Sequence, residues 1–113
     1  MTYVRKKRVK RYEYYQLVEN HRVDGKPRQR VIMHLGNEPT VDAALANWPK
    51  EIKYHRRRAK KHGDHYENLP EELKNQRYYK EKFKDIADSA EMQADTLQAR
   101  LNKLRSLRKK GVA

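Results

Sequence analysis

The first third of the chain alternates in the manner of strands, and the remainder repeats in the steps of three and four that belong to helices. Tyr12, Tyr14, Tyr15, Leu17 and Val18, followed by Arg28, Arg30, Val31, Ile32 and Met33, form two β-prone runs on either side of Asp24-Gly25-Lys26-Pro27. Asp-Gly supplies the positive φ that a two-residue hairpin turn needs. A turn centred there sets Val18 against Val31, Gln16 against Met33 and Tyr14 against Leu35 on the buried face. It leaves Tyr15, Leu17, Glu19 and His21 against His34, Ile32, Arg30 and Arg28 on the other. A bulged loop would exchange the two faces. Because a lone hairpin is marginal, a third strand is expected around Tyr3 to Arg5, with Lys6 to Arg11 as its basic turn.

After Gly36 the period changes. Pro39-Thr40 precedes Val41, Ala44, Leu45 and Trp48, which predicts a helix capped by Thr40 and interrupted at Pro49. A second helix is expected from Lys50 to near Gly63, with Trp48, Ile52 and Tyr54 covering the hairpin and the Arg run in water. From Asn68 to about Lys110 the pattern predicts one long helix, with Asn68 and Glu71 as a capping box, Pro70 in the first turn and Gly111 as the stop. Phe83, Ala87, Ala90, Ala94, Leu97, Leu101 and Leu104 follow one another at alternating steps of four and three, a heptad seam. Such a helix outruns a small core, so the seam is expected to join a second copy of the chain, with folding onto the basic helix of the same chain as the alternative. The expected fold is α+β: a three-stranded antiparallel sheet on short helices, then a long coiled-coil-like helix. The expected domains are residues 1–66 and 67–113.

Charge adds a function class to this outline. The 113 residues carry 28 Lys+Arg against 15 Asp+Glu, a net +13, and a mean hydropathy of -1.28. Residues 1–35 hold ten bases and three acids, more than half of the excess. A strongly basic small chain attracts polyanions, nucleic acid first and anionic membrane surface second. Hydrophobic content of 36 % closes only a modest core and argues against a large catalytic fold. The absence of Cys removes disulfides, thiolate nucleophiles and Cys-based zinc sites, in keeping with a reducing compartment. No apolar run reaches the ~18 residues of a membrane span, and no signal-peptide core follows the basic N-terminus. A soluble protein of the cytoplasm, associated with the nucleoid, is expected.

Catalytic and metal chemistry find few parts. Ser89 and Ser106 lie in the helix without a nearby His; His62-Gly63-Asp64-His65 with Glu67 lacks a further ligand pair and reads as a polar solvent loop. Asp85, Asp88, Glu91 and Asp95 read as a solvated acidic helix face paired with the basic last turns of a neighbouring helix, and no cofactor or metal is expected. The polyanion signal is stronger. Arg5, Lys6, Lys7, Arg8, Lys10 and Arg11 adjoin Tyr12, Tyr14 and Tyr15, while Arg28 and Arg30 alternate on the hairpin so that both guanidinium groups leave one face, with Gln29 and His34 as further donors. A plainer reading has these Arg residues solubilising the sheet and pairing across it, Arg30 with Glu19. Arg56, Arg57 and Lys60 are candidate contacts to a phosphate backbone.

The run Tyr14-Tyr15-Gln16-Leu17-Val18-Glu19, the turn Gly25-Lys26, the triplet Arg28-Gln29-Arg30 and the closing Leu35-Gly36 resemble the N-terminal segment of insertion-sequence transposases of the DDE type. The resemblance covers about the first 60 residues and stops short of the long helix. It implies a DNA end-binding module, with Arg28 and Arg30 as the positions carried over. It also implies an RNase H-like core with three metal-binding carboxylates, for which a chain of this size has no room. The expectation is therefore a double-stranded DNA-binding protein of a mobile element that binds without cleavage. RNA binding, with the tyrosines stacking on bases, and a coiled-coil protein adaptor are the alternatives.

Overall fold

In the computed structural model, which describes residues 2–113, three antiparallel strands follow one another as β1 (Thr2–Val9), β2 (Tyr12–Val23) and β3 (Lys26–Gly36), with β2 in the centre. The first strand is longer than expected: Lys6 to Val9 continue it, and the turn is only Lys10 and Arg11, Lys10 taking a φ of 56°. Asp24 and Gly25 form the second turn at φ of 54° and 76°, as a tight hairpin turn requires.

Near that turn the register is the expected one, with Val18 opposite Val31, Glu19 opposite Arg30 and His21 opposite Arg28. Two β-bulges then shift it. Leu17 faces Met33 and Gln16 faces His34, so Ile32 is the extra residue; Tyr15 then faces Gly36, which makes Leu35 the next. The expected pairings of Gln16 with Met33 and of Tyr14 with Leu35 are thereby replaced. Gln16, Leu17 and Val18 are all buried in succession, so both faces of the sheet are covered at its middle, whereas Val31 is 41 % exposed.

The helix α1 runs unbroken from Val41 to Glu67. Thr40 caps it as expected, its Oγ1 accepting from the N–H of Ala43 at 3.0 Å. Neither Pro49 nor Gly63 ends it. A mid-helix proline costs about 3 kcal/mol, and burial of Trp48 and Ile52 on either side, at ~1.5–3 kcal/mol each, offsets that. The expected loop at His62 to His65 is accordingly helical. Tyr54 is exposed and so covers nothing.

The segment expected as one long helix is interrupted. After α1, the N–H groups of Asn68 and Leu69 bond back to Asp64 and Tyr66, so Asn68 finishes that helix instead of capping the next. Two short pieces follow, α2 (Glu71–Lys74) and α3 (Arg77–Tyr79), neither with a buried residue, then a π-helical turn over Lys80–Lys84 and the long α4 (Asp85–Lys109). The break at Asn75 and Gln76 falls where the apolar stripe lapses, and a short helix without packing has little to hold it. Gly111, at φ 77°, ends α4 as expected, with Gly111 N–H on Arg108 O at 3.1 Å and Val112 N–H on Leu107 O at 2.9 Å, the Schellman arrangement.

Two compact units divide the chain: the residues up to Asn47 together with Arg100–Ala113, and Trp48–Ala99. In the first, Leu17, Val18, Met33, Leu35, Ala44, Leu101 and Leu104 are buried. Arg108 pairs with Asp42 at 2.7 Å, Lys103 Nζ donates to Ile32 O at 3.2 Å, and the Thr2 hydroxyl donates to Val112 O. The buried Glu38 carboxylate accepts from Asn47 at 2.9 Å. In the second, α1 and α4 run antiparallel: Arg56 reaches Glu91 and Asp95, Gly63 lies 3.9 Å from the Ala87 Cβ, and the His65 ring stacks on Phe83 at 5.7 Å. Ala87, Ala90 and Ala94 are buried here and Phe83 and Leu97 half-buried, while Leu101 and Leu104 are buried in the first unit. The heptad seam needs no second copy to be covered.

Candidate nucleic-acid interface

The three strands overlap only partly. The first strand begins opposite Glu19 and the third ends opposite Tyr15, so each hairpin runs past the strand on its far side as a two-stranded ribbon. Lys6 to Glu13 form one ribbon, with five bases and one acid, and Asn20 to Val31 form the other, with four bases and one acid. Every residue of both is exposed. Because β2 belongs to both hairpins, they project from opposite ends of the sheet.

On the longer ribbon, Arg28 opposite His21 and Arg30 opposite Glu19 share a face, as the alternation predicts. Arg30 forms the cross-strand ion pair with Glu19 at 3.0 Å, yet its side chain is 65 % exposed and keeps donors free for a ligand. Arg22 and Lys26 also stand on this ribbon, two cations that the sequence reading did not single out. Their signal was present: they flank the Asp24-Gly25 turn.

Gln29 and His34 are not on the Arg28 and Arg30 face. Alternation puts Gln29 on the opposite one, and the bulges bring His34 there beside Gln16. That face carries a hydrogen-bonded chain across all three strands. The Arg5 guanidinium donates to Gln16 Oε1 at 2.8 Å and to Gln29 Oε1, and the Gln29 amide donates to the Tyr3 hydroxyl. Gln16 Nε2 lies 3.4 Å from His34 Nδ1, and the Tyr14 ring 6.0 Å from that of His34. This explains a buried glutamine in mid-strand: its partners come from both neighbouring strands. Arg5 is half-buried and held in place.

On the shorter ribbon, Lys7, Arg8, Lys10 and Arg11 are exposed, and Lys6 pairs with Glu13 at 3.0 Å. The hydrogen bond it donates to Glu13, and then the charges of Glu13 and Tyr15, hold the Lys6 ammonium above its ordinary pKa. Of the three tyrosines beside this ribbon, Tyr12 is 78 % exposed, while Tyr14 and Tyr15 are half-buried. Arg56, Arg57 and Lys60 belong to the second unit. Arg56 is engaged with Glu91 at 2.9 Å and Asp95 at 3.2 Å, so the acidic face finds its base in the middle of α1 and not in the last turns of a helix. Arg57 and Lys60 are exposed. Among the described residues no group of three or more His, Asp or Glu gathers as a metal site, and no helix is long and apolar enough to cross a membrane.

A three-stranded sheet that sends two basic ribbons clear of its core, joined to an antiparallel helical pair, defines a small α+β module built to present cations on strands. Residues 3–96 match the N-terminal domain of the IS1634 family of transposases, and the chain belongs to that family. The match runs into α4, well past the first 60 residues that carry the resemblance in sequence. No curated protein and no solved structure matches the chain.

Proposed function

We propose that this chain binds double-stranded DNA at the ends of its mobile element through the basic ribbons, without cutting it. The observation that carries the reading is the ribbon Asn20 to Val31, exposed on both faces, with Arg28 and Arg30 on one of them. Two strands fit the ~12 Å width of the major groove, where an arginine can bond bidentately to the O6 and N7 edge of guanine. Past the end of the first strand this ribbon extends by four residues before its turn, about 13 Å, enough to enter a groove ~8.5 Å deep. The second ribbon, tipped by Lys10 and Arg11, suits the phosphate backbone. Family membership supports a mobile-element role, and the matched region is the N-terminal domain of such a transposase.

Neutralising about six phosphates predicts that log affinity falls with log salt at a slope near −5. Fluorescence anisotropy of a labelled duplex across a salt series measures it, and a flat response would sink the proposal. Incubation of supercoiled plasmid with the chain and Mg²⁺ should leave the plasmid un-nicked. Single-stranded RNA competing as well as duplex DNA would replace this reading with one in which the exposed Tyr12 stacks on bases.

A further inference from the structure

The α1 helix in the second unit presents two faces of opposite character. Ile52, Arg56, Ala59 and Gly63 lie within one narrow arc at 100° per residue. Ile52 and Ala59 are buried, Arg56 is bonded to Glu91 and Asp95, and Gly63 is against Ala87, so this arc faces α4. Tyr54, Arg57, Arg58 and Lys61 fall about 180° away. Tyr54 is 62 % exposed, and Arg57 and Lys61 are exposed too. With His62 at the edge, Tyr54, Arg57, Arg58 and Lys61 line a groove of about 320 Å³. The His62 Nδ1 is buried without a hydrogen-bond partner.

Six Lys and Arg stand between Lys53 and Lys61 without an acid, and among the described residues none of Arg57, Arg58 and Lys61 makes an ion pair. Like charges three or four apart on a helix destabilise it, as Arg57 with Lys61 and Arg58 with Lys61 do here. A row of closely spaced anions relieves that repulsion. The groove holds no apolar pocket for a base or a peptide side chain beyond the one tyrosine ring, and its donors are long, charged and fork-shaped, the chemistry of phosphate recognition.

From this we infer that the outward face of α1, through Arg57, Arg58 and Lys61 with His62 and Tyr54, is a second DNA contact that grips the phosphate backbone without reading sequence. The assignment rests on duplex DNA being the ligand of the chain. Arg56, one position from Arg57, is excluded from it because α4 has already engaged its guanidinium.

The test uses the full chain and a labelled duplex of arbitrary sequence, with anisotropy measured from about 50 to about 200 mM salt. Arg57→Gln with Lys61→Gln should reduce the magnitude of the salt slope by about 1.8, the release of two counterions, on any duplex. Arg56→Gln should leave the slope unchanged. Glutamine is a good helix former, and circular dichroism establishes that α1 persists in each variant. A wild-type chain with no duplex binding overturns the DNA reading and this assignment together. Wild-type binding with an undiminished slope in the double variant overturns this assignment alone, as does a loss in Arg56→Gln equal to that in Arg57→Gln. Retention on vesicles of anionic lipid, lost in the double variant while duplex binding is kept, overturns it in favour of a membrane surface.

Discussion

The two hairpins that share β2 have ribbons of the same width and similar charge, and they differ at their tips. Asp24 and Gly25 occupy the positive φ of their turn with residues suited to it, an aspartate that tolerates the conformation and a glycine that meets no steric cost. Lys10 takes a φ of 56° at the other tip, where a side chain costs about 1–2 kcal/mol and a glycine would sit at ease. One tip follows local turn chemistry. The other places two adjacent cations, Lys10 and Arg11, at the cost of strain.

The two tips should differ most in binding. Arg28→Ala with Arg30→Ala should lower affinity for the preferred duplex at least about tenfold and relax its sequence preference, since base contacts are worth ~1–3 kcal/mol each. Lys10→Ala with Arg11→Ala should weaken all duplexes alike; the reverse ranking in a parallel titration would move sequence reading to the other tip. Next in size, Gly25→Ala should destabilise the fold by about 1–2 kcal/mol in urea denaturation, a purely conformational cost because nothing lies within 4 Å of the added methyl. Lys10→Gly should act with the opposite sign and raise the denaturation midpoint, by less than ~1 kcal/mol because glycine gains freedom in the unfolded chain.

The smallest effect concerns pH. Because the Lys6 pKa is raised above its ordinary 10.5, its pairing with Glu13 contributes stability below that value and loses it as pH rises through the higher folded one. Lys6→Gln should therefore show the same small destabilisation at pH about 7 and 9, and the difference should close at higher pH. Denaturation midpoints that converge by pH about 8 would contradict the pairing.

Features set within a few residues were legible before the structure. The Asp24-Gly25 turn, the Thr40 cap and the Gly111 stop all depend on a backbone angle or a single side-chain bond to a near neighbour. The register held from the turn as far as Val18. Beyond it the bulges at Ile32 and Leu35 answer to covering both faces of the sheet at Leu17 and Val18, a demand made by distant residues. In consequence His34 lies on the face opposite to the one that simple alternation assigns it. Pro49 reads as a helix end because its missing N–H is visible in sequence, whereas the burial of Trp48 and Ile52 around it is not. The alanine seam reads as a buried surface, but its spacing is silent on whether α1 or another copy covers it. Gln16 as the centre of a polar chain had no local signal at all, because Arg5 and His34 come to it from other strands.

The central strand also sets a length. Its twelve residues from Tyr12 to Val23 separate the Lys10-Arg11 turn from the Asp24-Gly25 turn by about 40 Å, against ~34 Å for one turn of B-form duplex. β2 is thus a ruler: a duplex touched by both tips would be contacted at points roughly one helical turn apart, and two residues added to the strand would lengthen that stride by ~7 Å.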